Sequence, residues 1–152
     1  ASATAITKRF LKLYKKFPTP EQVMNTSDKK LKDTGISGTK INYIKGLSKQ
    51  IIQKEIDFRK ISKLKDEQVI EELTKIKGIG NWTAQIYLMF CLQRKDVFPV
   101  GDLGIQKGIR DLFSLKELPN SKTMEKYSAR WKPNRSIACW YIWKSQRINS
   151  IG

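Results

Sequence analysis

Leu73-Thr-Lys-Ile-Lys-Gly-Ile-Gly-Asn-Trp-Thr-Ala84 is the stretch on which the reading of this chain turns. Before it, Val69, Ile70, Leu73 and Ile76 recur at helical spacing from Asp66 onward. After it, a second helical pattern runs from Asn81 to Leu92. Gly78 and Gly80 therefore sit in a short turn between two helices. Glycine takes backbone angles that other residues avoid and lets another molecule approach the main chain closely. The next helix opens at Asn81-Trp82-Thr83, where unpaired N–H groups and the positive end of the helix dipole favour an anion. Ile79 is placed to lock the turn between the helices. An ordinary helix C-cap glycine followed by a turn would account for the glycines alone. The flanking helices, Lys75 and Lys77 beside the turn, and the charge of the whole chain favour a phosphate, with Gly78, Gly80, Thr83 and Lys77 as the candidate residues.

That charge is large. Thirty Lys and Arg stand against 14 Asp and Glu in 152 residues, a net +16. Such a balance suits a polyanion, nucleic acid or an anionic membrane surface. It also suits an AT-rich genome, because Lys (23) far outnumbers Arg (7). No apolar run approaches the ~18–20 residues of a membrane span, and the start carries no signal-peptide pattern. The chain has no histidine, which excludes Ser-His-Asp and Cys-His catalysis, His-containing zinc sites and imidazole bases. Two cysteines, Cys91 and Cys139, are too few for a four-thiolate cluster. Both lie in apolar helical patterns and read as reduced core residues of an intracellular protein.

The rest of the chain reads as helices separated by punctuated turns, an all-α architecture of one compact domain or two small lobes. From Ala1 to Phe17, Ile6, Phe10, Leu13, Tyr14 and Phe17 recur at helical spacing. No capping residue precedes this helix, so a natural beginning is expected to be missing. Thr19 is a candidate N-cap with Pro20 at the first helical position. Ser27 or Asp28 opens a short helix ended by Gly35, and Thr39 to Glu55 is amphipathic. Pro99 lies in a linker from Arg94 to Gly101, a helix runs from near Asp102 to Phe113, and Pro133 opens a last aromatic-rich helix ending near Ile148.

Twenty-two positions beyond Gly80, in Val100-Gly101-Asp102-Leu103-Gly104, a lone carboxylate stands at the head of a helix. Aspartate is a preferred N-cap type, and capping alone would explain it. A residue held there also points in a fixed direction. Beside a phosphate clamp, its chemistry suits cleavage of a glycosidic bond, where it stabilises positive charge on the sugar and orients or deprotonates a water.

Together with Asp96-Val-Phe-Pro-Val-Gly-Asp-Leu103, the hairpin stretch resembles the helix-hairpin-helix/Gly-Pro-Asp DNA glycosylases. Tyr127-Ser-Ala-Arg-Trp-Lys-Pro-Asn-Arg-Ser-Ile-Ala138 narrows the likeness to the 3-methyladenine DNA glycosylase II family, with Phe17-Pro-Thr-Pro-Glu21 and Gly35-Ile36 at matching places. The resemblance implies helical lobes flanking a base-binding cleft: a hairpin lobe at about 1–99 and a second lobe at about 100–152 lacking its N-terminal helix. It implies Asp102 as the catalytic residue, and Gly78 and Gly80, with the amide near Thr83, as a grip on DNA phosphate. Main-chain carbonyls of Thr74, Ile76 and Ile79 match positions that hold an alkali cation, Na+ or K+, as a structural ion; no other cofactor and no iron–sulfur cluster is expected. Trp82 stands where strand-cutting members carry a nucleophilic lysine, and an indole cannot form a Schiff base, so the monofunctional branch is implied. Trp82 and Trp143 are the expected walls of the base pocket, Trp131 and Trp140 core. Electron-rich indoles suit the cationic purines 3-methyladenine and 7-methylguanine. Ile86 replaces a tyrosine found in some members, which leaves lesion range open, oxidised or deaminated bases included. A non-catalytic DNA-binding module is the competing reading. The partner implied is duplex DNA bearing damaged bases, bound by a monomer away from membranes and located with the cell's DNA.

Overall fold

The computed structural model describes residues 2–149, with side chains to residue 146. Every regular element among them is helical, in ten α-helices and one 3-10 turn. Packing divides the chain into two units, residues 1–64 with 74–78, and residues 65–73 with 79–152.

In the first unit each helix is opened by a side chain that accepts an otherwise unpaired N–H. Ser2 caps α1 (Ala3–Lys12), Thr19 with Gln22 forms a capping box on α2 (Pro20–Asn25), and Ser27 caps α3 (Asp28–Asp33). Ser37 caps α4 (Gly38–Ile52) and Asp57 caps the one-turn α5 (Phe58–Ile61). The first helix is thus capped within the chain and begins at Ala3, whereas the sequence pattern predicts a helix already running at Ala1. It also stops at Lys12 rather than Phe17. Leu13 and Tyr14 turn back on Phe10 and Leu11 in tight bonds, and the chain runs on to Phe17 in bends. Phe17 is left 81% exposed. Helices α2 and α3 pack on α4, burying Val23, Leu31 and Ile41, with Ile61 and Ile76 also in the core. The helix α4 ends three residues before the expected Glu55, and Lys54, with φ +59°, reverses the chain there.

The second unit holds α6 (Asp66–Thr74, whose last residue falls in the first unit), α7 (Asn81–Phe90), α8 (Leu103–Leu112), α9 (Ser121–Ser128), a 3-10 turn at Ala129–Trp131 and α10 (Arg135–Asn149). The apolar faces of α8 and α10 meet through Ile105, Gly108, Ile109, Cys139 and Ile142. A Cβ added at Gly108 would land on Ile142 Cγ2, so the glycine is what lets the helices approach. Gly108→Ala is expected to cost about 1–3 kcal/mol by overpacking, despite alanine's better helix propensity. Thermal or urea unfolding measures this, and an unchanged or raised stability would contradict the packing account.

The segment from Arg94 to Gly101 is stapled to the start of α10. Arg135 donates from Nε to Asp96 Oδ1 at 2.7 Å and from Nη2 to Oδ2 at 3.0 Å. Ser136 Oγ donates to Arg94 O at 2.7 Å and accepts from Val97 N at 3.0 Å. The Arg135 hydrogen bond holds the Asp96 carboxyl below its usual range. Pro99 is buried and its carbonyl accepts from Asp102 N at 2.9 Å, delivering the chain into α8.

Candidate active site

Asp102 is the N-cap of α8, as its place in the sequence predicts, and its Oδ1 accepts from Ile105 N at 2.8 Å. Capping is only part of its surroundings. Trp143 Nε1, from α10, donates to the same Oδ1 at 2.9 Å, and Trp82 Nε1, from α7, donates to Oδ2 at 2.7 Å. A carboxylate only 9% exposed must have such donors, because an unpartnered buried one is costly.

The three residues share one cavity of about 720 Å³ lined also by Ile86, Phe90, Trp140, Lys144 and Gln146. That volume lies within the range of about 300–1,000 Å³ common for small-ligand pockets. One wall is a stripe of α7, Trp82, Ile86 and Phe90, four residues apart. The other is a stripe of α10, Trp140, Trp143 and Lys144. Asp102, on the head of α8, lines the same cavity. Phe90 lies against Trp143 in an offset stack, with ring centroids 5.9 Å apart. The Lys144 ammonium lies 5.1 Å from the centroid of Trp140.

Trp140 is a correction to the sequence reading. Expected in the core, it is 49% exposed and lines the cavity. Trp131 is half-buried among Phe98 and Phe113, nearer its expected place. Cys91, also expected inside, is exposed because α7 ends at Phe90 and turns. Cys139 is buried, and burial, helped by the Asp102 charge, pushes its thiol up to about 12. Sequence reasoning misses Phe90, Trp140 and Lys144 as pocket residues. The signal that could find them is the spacing i, i+4, i+8 from Trp82 and i−3, i+1 around Trp143, which puts each set on one helix face.

The glycines of the hairpin differ from one another. Gly78 has φ +94°, and a Cβ there would strike the Tyr43 ring, so both backbone angle and space require glycine. Gly80 is extended and serves as N-cap of α7 with no side-chain hydrogen bond, and a Cβ there would meet nothing. Its exposure, with Thr83 exposed in the first turn of α7, leaves the helix N-terminus approachable. Lys77 is exposed and lines a separate cavity of the first unit, about 510 Å³, with Tyr43, Lys49 and Gln50. Lys77 and Gly78 belong to the first unit, Gly80 and Thr83 to the second. Of the residues whose carbonyls are expected to hold a cation, Ile76 is buried, Ile79 half-buried and Thr74 exposed. Among the described residues no cluster of three or more His, Cys, Asp or Glu side chains could hold a metal ion, and no helix is long and apolar enough to cross a membrane.

The profile of the HhH-GPD superfamily base excision DNA repair proteins matches residues 1–134. DNA-3-methyladenine glycosylase 1 of Schizosaccharomyces pombe is 36% identical over 150 residues, 97% of this chain and 66% of that protein. The alkylbase DNA glycosidase-like protein mag2 of the same yeast is 34% identical over 137 residues, 90% of this chain and 64% of its own length. The chain thus spans a little under two thirds of these relatives. Among solved structures, the S. pombe 3-methyladenine DNA glycosylase in complex with abasic DNA superposes with a TM-score of 0.89 at 36% identity, over 95% of this chain and 72% of that one.

Proposed function

We propose that this chain, which belongs to the HhH-GPD superfamily of base excision DNA repair proteins, is a monofunctional DNA glycosylase acting on alkylated purines in duplex DNA. The observation that carries the proposal is the Asp102 carboxylate, held by two indole N–H groups in the lining of an aromatic-walled cavity. The similarity to an alkylbase glycosidase-like protein and a 3-methyladenine glycosylase supports the substrate class.

The chemistry follows from the residues present. Alkylation at N3 or N7 of a purine places positive charge on the base and weakens its bond to the sugar. The damaged nucleotide leaves the stack, at a smaller cost than an intact one. Its base enters between the α7 and α10 stripes, where indole faces attract the cation by about 0.5–2 kcal/mol. As the bond from C1′ to the base nitrogen breaks, its electron pair moves to the base, which departs neutral and needs no acid. Positive charge then develops on the sugar and is met by Asp102. Water oxygen binds C1′, its proton passes to the carboxylate, and an abasic site remains. Gly78, Gly80, Thr83 and Lys77 hold backbone phosphate without reading sequence. An alkali cation on the carbonyls of Thr74, Ile76 and Ile79 belongs to the same proposal, since main-chain oxygens suit Na+ or K+. The protein acts as a monomer and works wherever the cell keeps its DNA.

The product distinguishes this mechanism from strand cleavage through a lysine. With Trp82 at the position in question, the DNA strand is expected to remain intact after base release and to break only on alkaline treatment. Borohydride should trap no covalent protein–DNA adduct. A trapped adduct, or strand breaks without alkali, would refute the hydrolytic mechanism.

A further inference from the structure

A carboxylate offers about four in-plane acceptor positions, two on each oxygen. In Asp102, Oδ1 is filled by Ile105 N at 2.8 Å and Trp143 Nε1 at 2.9 Å, while among the described residues Oδ2 receives only Trp82 Nε1 at 2.7 Å. The donors come from α8, α10 and α7, so three helices hold the group in one orientation. An indole N–H lies in the ring plane, so both tryptophans turn an edge to Asp102 and keep their faces for other contacts. A base stacked on such a face is thereby registered against the carboxylate.

Gly104 completes the arrangement. A Cβ there would stand 3.1 Å from Asp102 Oδ1, 3.1 Å from Trp143 Cδ1 and 3.3 Å from Trp143 Nε1, closer than ordinary contact. Its φ is not in the left-handed region, so the backbone does not require glycine, and alanine is the better helix former. What requires glycine is the Trp143–Asp102 hydrogen bond lying across it.

Resting on the glycosylase reading above, we propose that Trp82, Trp143 and Gly104 are positioning residues that orient the Asp102 carboxylate, leaving one lone pair of Oδ2 for the sugar or the attacking water. The indole edges set the acid, and the indole faces set the base.

Two measurements test this, one of them independent of activity. In 15N-labelled protein, Asp102→Asn should move the indole N–H resonances of Trp82 and Trp143 upfield and leave those of Trp131 and Trp140 in place, the assignments coming from single Trp→Phe variants. In single-turnover base release, Trp143→Phe, Trp82→Phe and Gly104→Ala should each slow the reaction roughly tenfold to a hundredfold, as loss or distortion of a hydrogen bond to a charged group does. Affinity for undamaged duplex should stay within twofold. Indole resonances indifferent to Asp102→Asn would remove the clamp. Variants that lose the indole shift yet turn over at the parental rate would reduce it to a structural contact. A parent protein that releases no base, with the indole shifts present, would overturn the glycosylase reading and with it the catalytic use of the clamp, while leaving the geometry standing.

Discussion

Asp102→Asn is expected to lower the rate of base release by about 10²–10³ or more while duplex binding persists. The substitution is nearly isosteric. An asparagine carbonyl can still accept from Ile105 N, so the cap of α8 survives, and asparagine is as good an N-cap as aspartate. What disappears is a strong acceptor for the two indoles and, on the proposed mechanism, the charge facing the sugar as the glycosidic bond breaks. A stabilisation made only in the transition state appears in the rate and not in ground-state affinity. Single-turnover release on alkylated duplex, with binding measured on the same DNA, separates the two. Parallel loss of both would mean that the residue serves the fold alone.

The steepest dependence on conditions is expected in binding. The net +16 is unevenly shared: residues 1–64 with 74–78 carry 17 Lys and Arg against 5 Asp and Glu, and the remainder carries 13 against 9. Genome bias toward lysine would load both units alike, so the concentration of charge in one favours a polyanionic partner. If about 6–10 phosphates are neutralised, duplex affinity should fall about 10³–10⁵-fold between about 50 and 200 mM salt through counterion release. The slope of log affinity against log salt counts those contacts. A flat response would assign the lysines to composition alone.

Much of this is legible in the order of the amino acids alone. Helix starts announce themselves through Thr19-Pro20, Ser27 and Asp102, each of which does cap a helix. The paired glycines mark the turn before α7, although only contact with Tyr43 shows that Gly78 is sterically obligatory while Gly80 is not. Periodicity fails where the chain bends against it. The apolar spacing continues past Lys12 to Phe17, but the helix closes at Leu13, whose N–H bonds back to Phe10. The staple of Asp96 to Arg135 spans 39 positions and leaves no local trace, yet it ties the segment leading to Asp102 to the helix that carries Trp143. The indoles are legible as aromatic walls and not as donors, because which way a ring edge faces depends on three helices meeting. Trp140 misleads for the same reason: a tryptophan on an apolar helix is usually core, and here its helix face looks into the cavity.

The central claim is that Asp102 drives release of an alkylated purine, and the most direct test is to count freed bases. Duplex DNA treated with a methylating agent is incubated with the parent chain and with Asp102→Asn, and the released bases are identified chromatographically. The prediction is 3-methyladenine or 7-methylguanine from the parent and none above background from the variant. Equal release by both proteins, or none by a parent that binds the same DNA, would contradict it.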